Sequence, residues 1–257
     1  PTIKQPVETC QGNILDLLLK FWACLQNADM HKLCGRRPTG RTEMQRSYQG
    51  INRRAYYFIN QRIQAEEDVL KEASMVVTST KQELIHQYSE YKSFDSHKAK
   101  VISPGVDHEK FHHVHSTTET SDISNMMNPF LVDSSKPPLL AISRAVKRKN
   151  VPSLVEAFGR SEKLKKNCNL VLVLGCRENI SKLDLQQKEV FQEIFEMIDK
   201  YNLYGKVAYP KKHLPDQIPA IYRWAASRGG LFVNPALTEP FGLTLLEASS
   251  CGLPMVA

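Results

Sequence analysis

The chain has 257 residues, 42% of them hydrophobic and 24% charged; this ordinary globular usage excludes a disordered polymer and a membrane-embedded protein, and the length allows one or two domains with real cores. The formal net charge of +7 is spread over scattered Lys and Arg with no aromatic-interleaved basic stripe, so phosphate-bearing small molecules, not nucleic acid or a membrane surface, are the expected partners. Six cysteines, at positions 10, 24, 34, 168, 176 and 251, form no C-x-x-C pair and no zinc-like spacing, so free thiols in the reducing cytoplasm are expected.

In chain order, residues 1–40 carry one apolar stretch, 14–25, interrupted by Asp16 and Lys20 and too short to span a bilayer. The basic Cys34-Gly35-Arg36-Arg37-Pro38 region follows, and residues 1–40 receive no functional reading. The chain opens on Pro1 with no charged leader or small-residue cleavage site, so an incomplete N-terminus is expected. Residues 47–73 predict one long helix, with Ile51, Ala55, Ile59 and Ile63 at four-residue spacing, and strands are expected at 75–79 and 101–103. Residues 104–138, rich in Ser, Thr, His, Asn and Pro and without periodicity, read as an interdomain connection. Residues 41–138 are therefore assigned to the remnant of a first α/β domain and its connection.

From residue 139 onward, short buried-looking apolar runs alternate with helical ones. Strands are expected at 139–143, 170–175, 207–210, 231–235 and 255–257, and helices at 151–164, 185–201, 215–227 and 242–251. In the second helix Val190, Ile194, Met197 and Ile198 share a face. Continuous rather than alternating apolar strands require cover on both faces, so the layout is an α/β, Rossmann-like doubly wound parallel sheet. Such sheets bind ligands beyond the carboxyl ends of their strands, which directs attention to the loops there.

Two of those loops carry chemistry. In Asn234-Pro235-Ala236-Leu237-Thr238-Glu239-Pro240-Phe241-Gly242-Leu243-Thr244-Leu245-Leu246-Glu247 a strand passes through a loop into a helix. Glu239 stands in the loop and Glu247 about a turn and a half inside the helix, so they can touch different parts of one elongated ligand. The amides of Phe241, Gly242, Leu243 and Thr244 lie at the positive end of the helix dipole, where a diphosphate can settle. Taken as an isolated pair, the two glutamates are more simply explained as residues favoured by that dipole. In Leu140-Ala141-Ile142-Ser143-Arg144-Ala145-Val146-Lys147-Arg148-Lys149-Asn150, Arg144 and Lys149 can reach the same crevice, the first as a fork and the second as a point charge for phosphate oxygens. A charge run alone is more often a solvated loop.

Together these segments resemble the donor site of the retaining GT-B glycosyltransferases, and further stretches resemble the sucrose-phosphate synthase branch of that family. These are Arg62-Ile63-Gln64-Ala65-Glu66-Glu67, Val77-Thr78-Ser79-Thr80-Lys81-Gln82-Glu83, Ser103-Pro104-Gly105-Val106-Asp107, the run from Asp199 to Pro210, and Asn234 through Thr244. The resemblance covers roughly residues 48 to 257, and Pro240 stands where sucrose synthases tend to carry Ala. It implies a GT-B C-terminal, donor-binding domain over 139–257 and the transfer of glucose from UDP-glucose to fructose-6-phosphate with retention. It further implies that Arg144 and Lys149 hold the diphosphate, Glu247 the ribose hydroxyls, and Glu239 with the 241–244 backbone the glucose, while Arg62 binds the acceptor phosphate. Glu239, Arg144 and Lys149 are the implied catalytic set, and no metal or cofactor is required. The glycine-rich loop and Gly-His-Ser stretch that the family carries earlier are not found, residues 1–40 do not match, and the chain ends at Ala257. A fragment with little transferase activity alone, but able to bind UDP, is the resulting expectation.

The alternatives are a noncatalytic nucleotide- or sugar-phosphate-binding protein and a sucrose synthase-like transferase. His108, His112, His113 and His115 sit in a polar stretch without accompanying Cys or helical spacing, and a metal there is disfavoured. Trp22 and Trp224 are expected in cores or interfaces. Residues 175–178 fit either a contact to a nucleotide base or a plain turn.

Overall fold

The computed structural model describes residues 53–113 and 120–257. The apolar stretch 14–25, Trp22, the start of the helix expected from residue 47, and His115 lie outside the described residues. The chain divides into two compact units, Pro1–Ser103 and Pro104–Ala257. No helix among the described residues is long and apolar enough to cross a membrane.

In the first unit α1 (Arg53–Glu72) is followed by β1 (Val76–Thr78), α2 (Lys81–His86) and β2 (Ala99–Val101). Ile59, Ile63 and Leu70 fall on one stripe of α1 and pack with Val76 and Tyr91 into a small core. Thr80 ends the strand side and starts α2: its side chain accepts from the Glu83 amide at 3.1 Å while the Glu83 carboxylate accepts from the Ser79 amide at 2.8 Å. That reciprocal use of orphan amides is written in the Thr80-Lys81-Gln82-Glu83 spacing. β1 and β2 run parallel, with Val76 opposite Ala99 and Thr78 opposite Val101. The second strand thus begins two residues earlier than expected, because pairing to β1 sets its start where hydropathy alone does not.

The second unit opens with α3 (Thr120–Met127), inside the stretch read as an irregular connection. Ile123 and Met127 are buried against the sheet layer, and the Trp224 indole N–H donates to Ser124 Oγ at 3.1 Å. A helix of eight residues with so few apolar positions has little periodicity to announce it, and its partner element supplies the stability. The remaining elements are β3 (Pro138–Ile142), α4 (Val151–Arg160), α5 (Glu162–Asn167), β4 (Asn169–Val173), α6 (Leu185–Lys200), β5 (Val207–Ala208), α7 (Ile218–Ser227), β6 (Leu231–Val233), α8 (Leu243–Ser250) and β7 (Met255–Val256).

One expected helix, 151–164, is two. Ser161 takes extended backbone angles and its Oγ accepts from the Leu164 amide at 3.3 Å, capping α5 instead of continuing α4. α4 lies close on the end of α6, where a Cβ on Gly159 would come within 2.5 Å of the Tyr201 ring.

All five strands are parallel, in the order β5-β4-β3-β6-β7. Every residue of β4 is buried. Leu170 and Leu172 face one apolar cluster with Val155, Phe158, Phe191 and Ile194 of α4 and α6, while Val171 and Val173 face the other with Tyr222, Trp224 and Ala248 of α7 and α8. Helices therefore cover both faces, which is why the strands read as unbroken apolar runs. The chain winds outward from β3 through β4 to β5, then returns to lay β6 on the opposite side of β3. The order reverses between β3 and β6, and the loops leaving those two strands flank the crevice this reversal creates.

Candidate functional site

The β3 loop leaves the sheet through Arg144 and turns once through the 3-10 turn Lys147–Lys149. Asn150 then adopts a left-handed conformation, φ +52°, at the cap of α4; asparagine tolerates that region better than most residues. The turn separates its three cations. Lys147 pairs with Glu189 of α6 at 2.7 Å, Arg148 supplies its carbonyl to the Leu237 amide at 3.0 Å, and Lys149 points into the crevice.

The β6 loop meets it there. Lys149 Nζ is ion-paired with Glu239 Oε2, and the Asn234 amide group donates to the same oxygen at 3.2 Å. The two side chains are 12% and 23% exposed, so the pair is sheltered at the crevice floor yet open to a ligand. Arg144 is exposed at the rim, and while its carbonyl accepts from the Val146 amide at 2.9 Å and the Ser143 hydroxyl at 3.2 Å, its guanidinium makes no hydrogen bond or ion pair among the described residues. Sequence-separated residues 149 and 239 are thus joined directly by their side chains, and the two loops by the Arg148–Leu237 backbone bond.

The loop enters α8 at Gly242, whose φ of +86° is left-handed and whose side-chain position is closed: an added Cβ would lie 2.9 Å from Leu245 Cδ1 and 3.4 Å from Glu239 Cγ. No side chain caps α8, so the Leu243 and Thr244 amides at its first positions have no intrahelical acceptor. Phe241 is part-buried beside them.

Glu247 follows within α8 and is held by Tyr222 of α7, whose hydroxyl lies 3.2 Å from Glu247 Oε2 and 3.3 Å from the Thr244 carbonyl. Burial raises the Glu247 carboxyl above the usual carboxylate range, and the Tyr222 hydroxyl offsets part of that rise. Burial, reinforced by the Glu247 charge, likewise lifts the Tyr222 phenol well above its ordinary value. Tyr222 was not singled out by sequence reasoning; its only signal is a polar-tipped aromatic inside the apolar stripe of α7.

Arg62 lies in the other unit, on α1. Its Nε donates to Glu66 Oε1 at 3.1 Å, and Glu66 Oε2 accepts from the Tyr91 hydroxyl. Glu67 turns inward instead and accepts from the Lys92 and Ser93 amides at 3.0 and 2.7 Å. Among the described residues no three His, Cys, Asp or Glu side chains converge as a metal site requires. Trp224 is buried in the core.

A family model described as "Glycosyl transferases group 1" matches residues 122–257. Among curated relatives, sucrose-phosphate synthase 4 of Arabidopsis thaliana is 38% identical over 240 residues, covering 78% of this chain and 23% of the relative. A probable sucrose-phosphate synthase of Solanum tuberosum is 38% identical over 237 residues, covering 78% and 22%. The chain therefore spans less than a quarter of the length of these relatives. Among solved structures, sucrose-phosphate synthase from Thermosynechococcus elongatus superposes with a TM-score of 0.57 at 22% identity over 81% of this chain and 46% of that one. Anabaena HepE in complex with UDP and glucose gives 0.57 at 15% identity over 98% and 65%. Both share the α/β, Rossmann-like fold of GT-B glycosyltransferases. The matched residues include the whole five-stranded sheet and both loops of its crevice, and the chain belongs to the group 1 glycosyltransferases.

Proposed function

We propose that this chain provides the donor site of a sucrose-phosphate synthase-type hexosyltransferase, which moves glucose from UDP-glucose to fructose-6-phosphate with retention. The reading is supported above all by the convergence of Lys149 and Glu239 at the point where strand order reverses. The identity to sucrose-phosphate synthases supports the choice of substrates. The free thiols of Cys168, Cys176 and Cys251 fit a cytoplasmic setting.

In this reading Arg144 and Lys149 take the diphosphate, Glu247 the ribose hydroxyls, and Glu239 with the 241–244 backbone the glucose. Arg62 takes the acceptor phosphate. As the glycosidic bond breaks, the sugar becomes cation-like and the diphosphate gathers negative charge. The two cations and the uncapped start of α8 supply positive charge beside the crevice for that developing charge, so the reading calls for no metal cofactor. Glu239, released from Lys149 as the phosphates bind that ammonium, is free to accept from sugar hydroxyls.

Arg144→Ala gives a clean test, because Arg144 is exposed, its guanidinium bonds to nothing among the described residues, and the bonds its carbonyl accepts survive the substitution. Calorimetric titration should show UDP binding to the chain, weakened about tenfold by the substitution, as expected for a charged contact of about 1.4 kcal/mol, at an unchanged melting temperature. A flat UDP titration of the unsubstituted chain would refute the donor-site reading.

A further inference from the structure

The loops after β4 and β5 are held together by an arginine to which the proposed transfer gives no direct role. Arg177 is 5% exposed. Its Nη1 and Nη2 donate to the carbonyls of Pro210 at 3.0 Å and Tyr209 at 2.9 Å, and its backbone N–H donates to the Lys211 carbonyl at 2.8 Å. The guanidinium lies 4.7 Å from the Phe191 ring centroid and 5.8 Å from that of Tyr209. No carboxylate pairs with it among the described residues, and burial lowers its pKa. On either side along the same seam, Cys176 Sγ donates to the His213 carbonyl at 3.0 Å and Lys212 pairs with Glu178 at 2.9 Å.

Burying a guanidinium without a counter-ion is costly, and an apolar side chain of similar size would fill the space more cheaply. What arginine adds is a rigid planar fork that fixes two carbonyls at a set spacing. Here that spacing matters, because β5 pairs with β4 over only two residues, Val207 and Ala208, and the strand ladder stops before the loops reach the crevice. Arg177 continues the connection where the ladder ends.

A donor bound as proposed would run its nucleoside end toward this seam. In the donor-site reading the ion-paired Lys149 and Glu239, between β3 and β6, mark the diphosphate and sugar end. Glu247 is bonded to Tyr222 of α7, and α7 begins at Ile218, directly after the β5 loop. A ribose on Glu247 therefore presents its base toward the loop that Arg177 holds. We propose that Arg177 is a positioning residue for nucleotide selection: it clamps the β5 loop onto the β4 loop and so fixes the backbone edge against which the donor's base is read. The proposal rests on the donor-site reading above.

The test titrates the full chain with UDP, ADP and inorganic pyrophosphate in unsubstituted, Arg177→Met and Arg177→Lys forms. The unsubstituted chain should prefer UDP to ADP. In Arg177→Met, UDP affinity should fall about tenfold, the size of one lost contact to the base. Its UDP-to-ADP ratio should approach one, while pyrophosphate affinity stays within about twofold and the thermal transition stays single. Arg177→Lys, which keeps the charge but not the fork, should lose most of the same selectivity, and it decides the matter if the Met variant does not fold. An unchanged UDP-to-ADP ratio in the variants, or parallel loss of UDP and pyrophosphate, would overturn the positioning role while leaving the donor site standing. Failure of the unsubstituted chain to bind either UDP or pyrophosphate would overturn the donor-site reading and this proposal with it.

Discussion

Replacing Tyr222 by Phe removes one oxygen from the support of Glu247 and keeps the rest of the side chain. The ring packs edge-on against Phe232, with centroids 5.5 Å apart, and against Phe111 at 6.2 Å, contacts that Phe reproduces. The loss is the hydroxyl that lies 3.2 Å from Glu247 Oε2 and 3.3 Å from the Thr244 carbonyl. A hydrogen bond to a charged acceptor contributes about 1.5–3 kcal/mol. Here one proton is divided between two acceptors at long distances, and Glu247 is part-exposed, so about 1 kcal/mol is the appropriate size, or roughly a fivefold loss of UDP affinity. The pH dependence has a definite direction. Burial raises the Glu247 pKa and Tyr222 pulls it partly back; without the hydroxyl it rises further, so the ionised form proposed to accept from ribose is lost at a higher pH. Calorimetric UDP titrations from neutral pH downward should therefore show affinity falling earlier in Tyr222→Phe than in the unsubstituted chain. Equal affinities with the same inflection in both would refute the assignment of Glu247 to the ribose.

Glu247→Gln should separate stability from binding. The folded pKa of Glu247 is raised, so its ionisation costs the folded state stability, and that cost grows as pH rises from the ordinary glutamate range through the raised value. Thermal melts of Glu247→Gln should lose this pH slope and lie above the unsubstituted protein at neutral pH, converging with it in acid, while UDP affinity falls about tenfold; a neutral-pH melt no higher than that of the unsubstituted chain would refute the burial argument. Gly242→Ala places a methyl group on a backbone at φ +86° and 2.9 Å from Leu245. The left-handed conformation alone costs about 1–2 kcal/mol, so a melting temperature lower by roughly 3–6 °C is expected for a unit of this size, together with weaker UDP binding as the start of α8 and Glu239 shift; an unchanged melt would show that Gly242 is not needed for that turn.

The parts of this architecture that one segment can encode were legible from the sequence, and those that need two segments were not. β4 is readable because cover on both faces leaves no polar alternation in Asn169–Val173, and α6 because Val190, Ile194 and Ile198 are buried on one face. The break at Ser161 was missed because serine inside a helical pattern differs little from serine at a cap until its backbone is seen to be extended. α3 was missed because its burial depends on a partner a hundred residues away, through Ser124 and Trp224. The site divides in the same way. Arg144, Lys149, Glu239 and Glu247 stand out because charges beyond buried strands, or just inside the helix that follows, are where crevice chemistry is sought. Tyr222 escapes because it acts on a carboxylate distant in sequence from within a segment whose local pattern is fully explained by packing; Arg177 lies in the 175–178 stretch that fits a base contact or a plain turn, but its own part there is hidden because the carbonyls it holds belong to the loop after another strand. In such a sheet the groups that meet ligand are announced by position along a strand, whereas the groups that aim them are fixed by strand order: β3 beside β6 brings Lys149 to Glu239, and β4 beside β5 brings Arg177 to Tyr209 and Pro210. Strand order depends on which way each crossover turns, and no single segment records it.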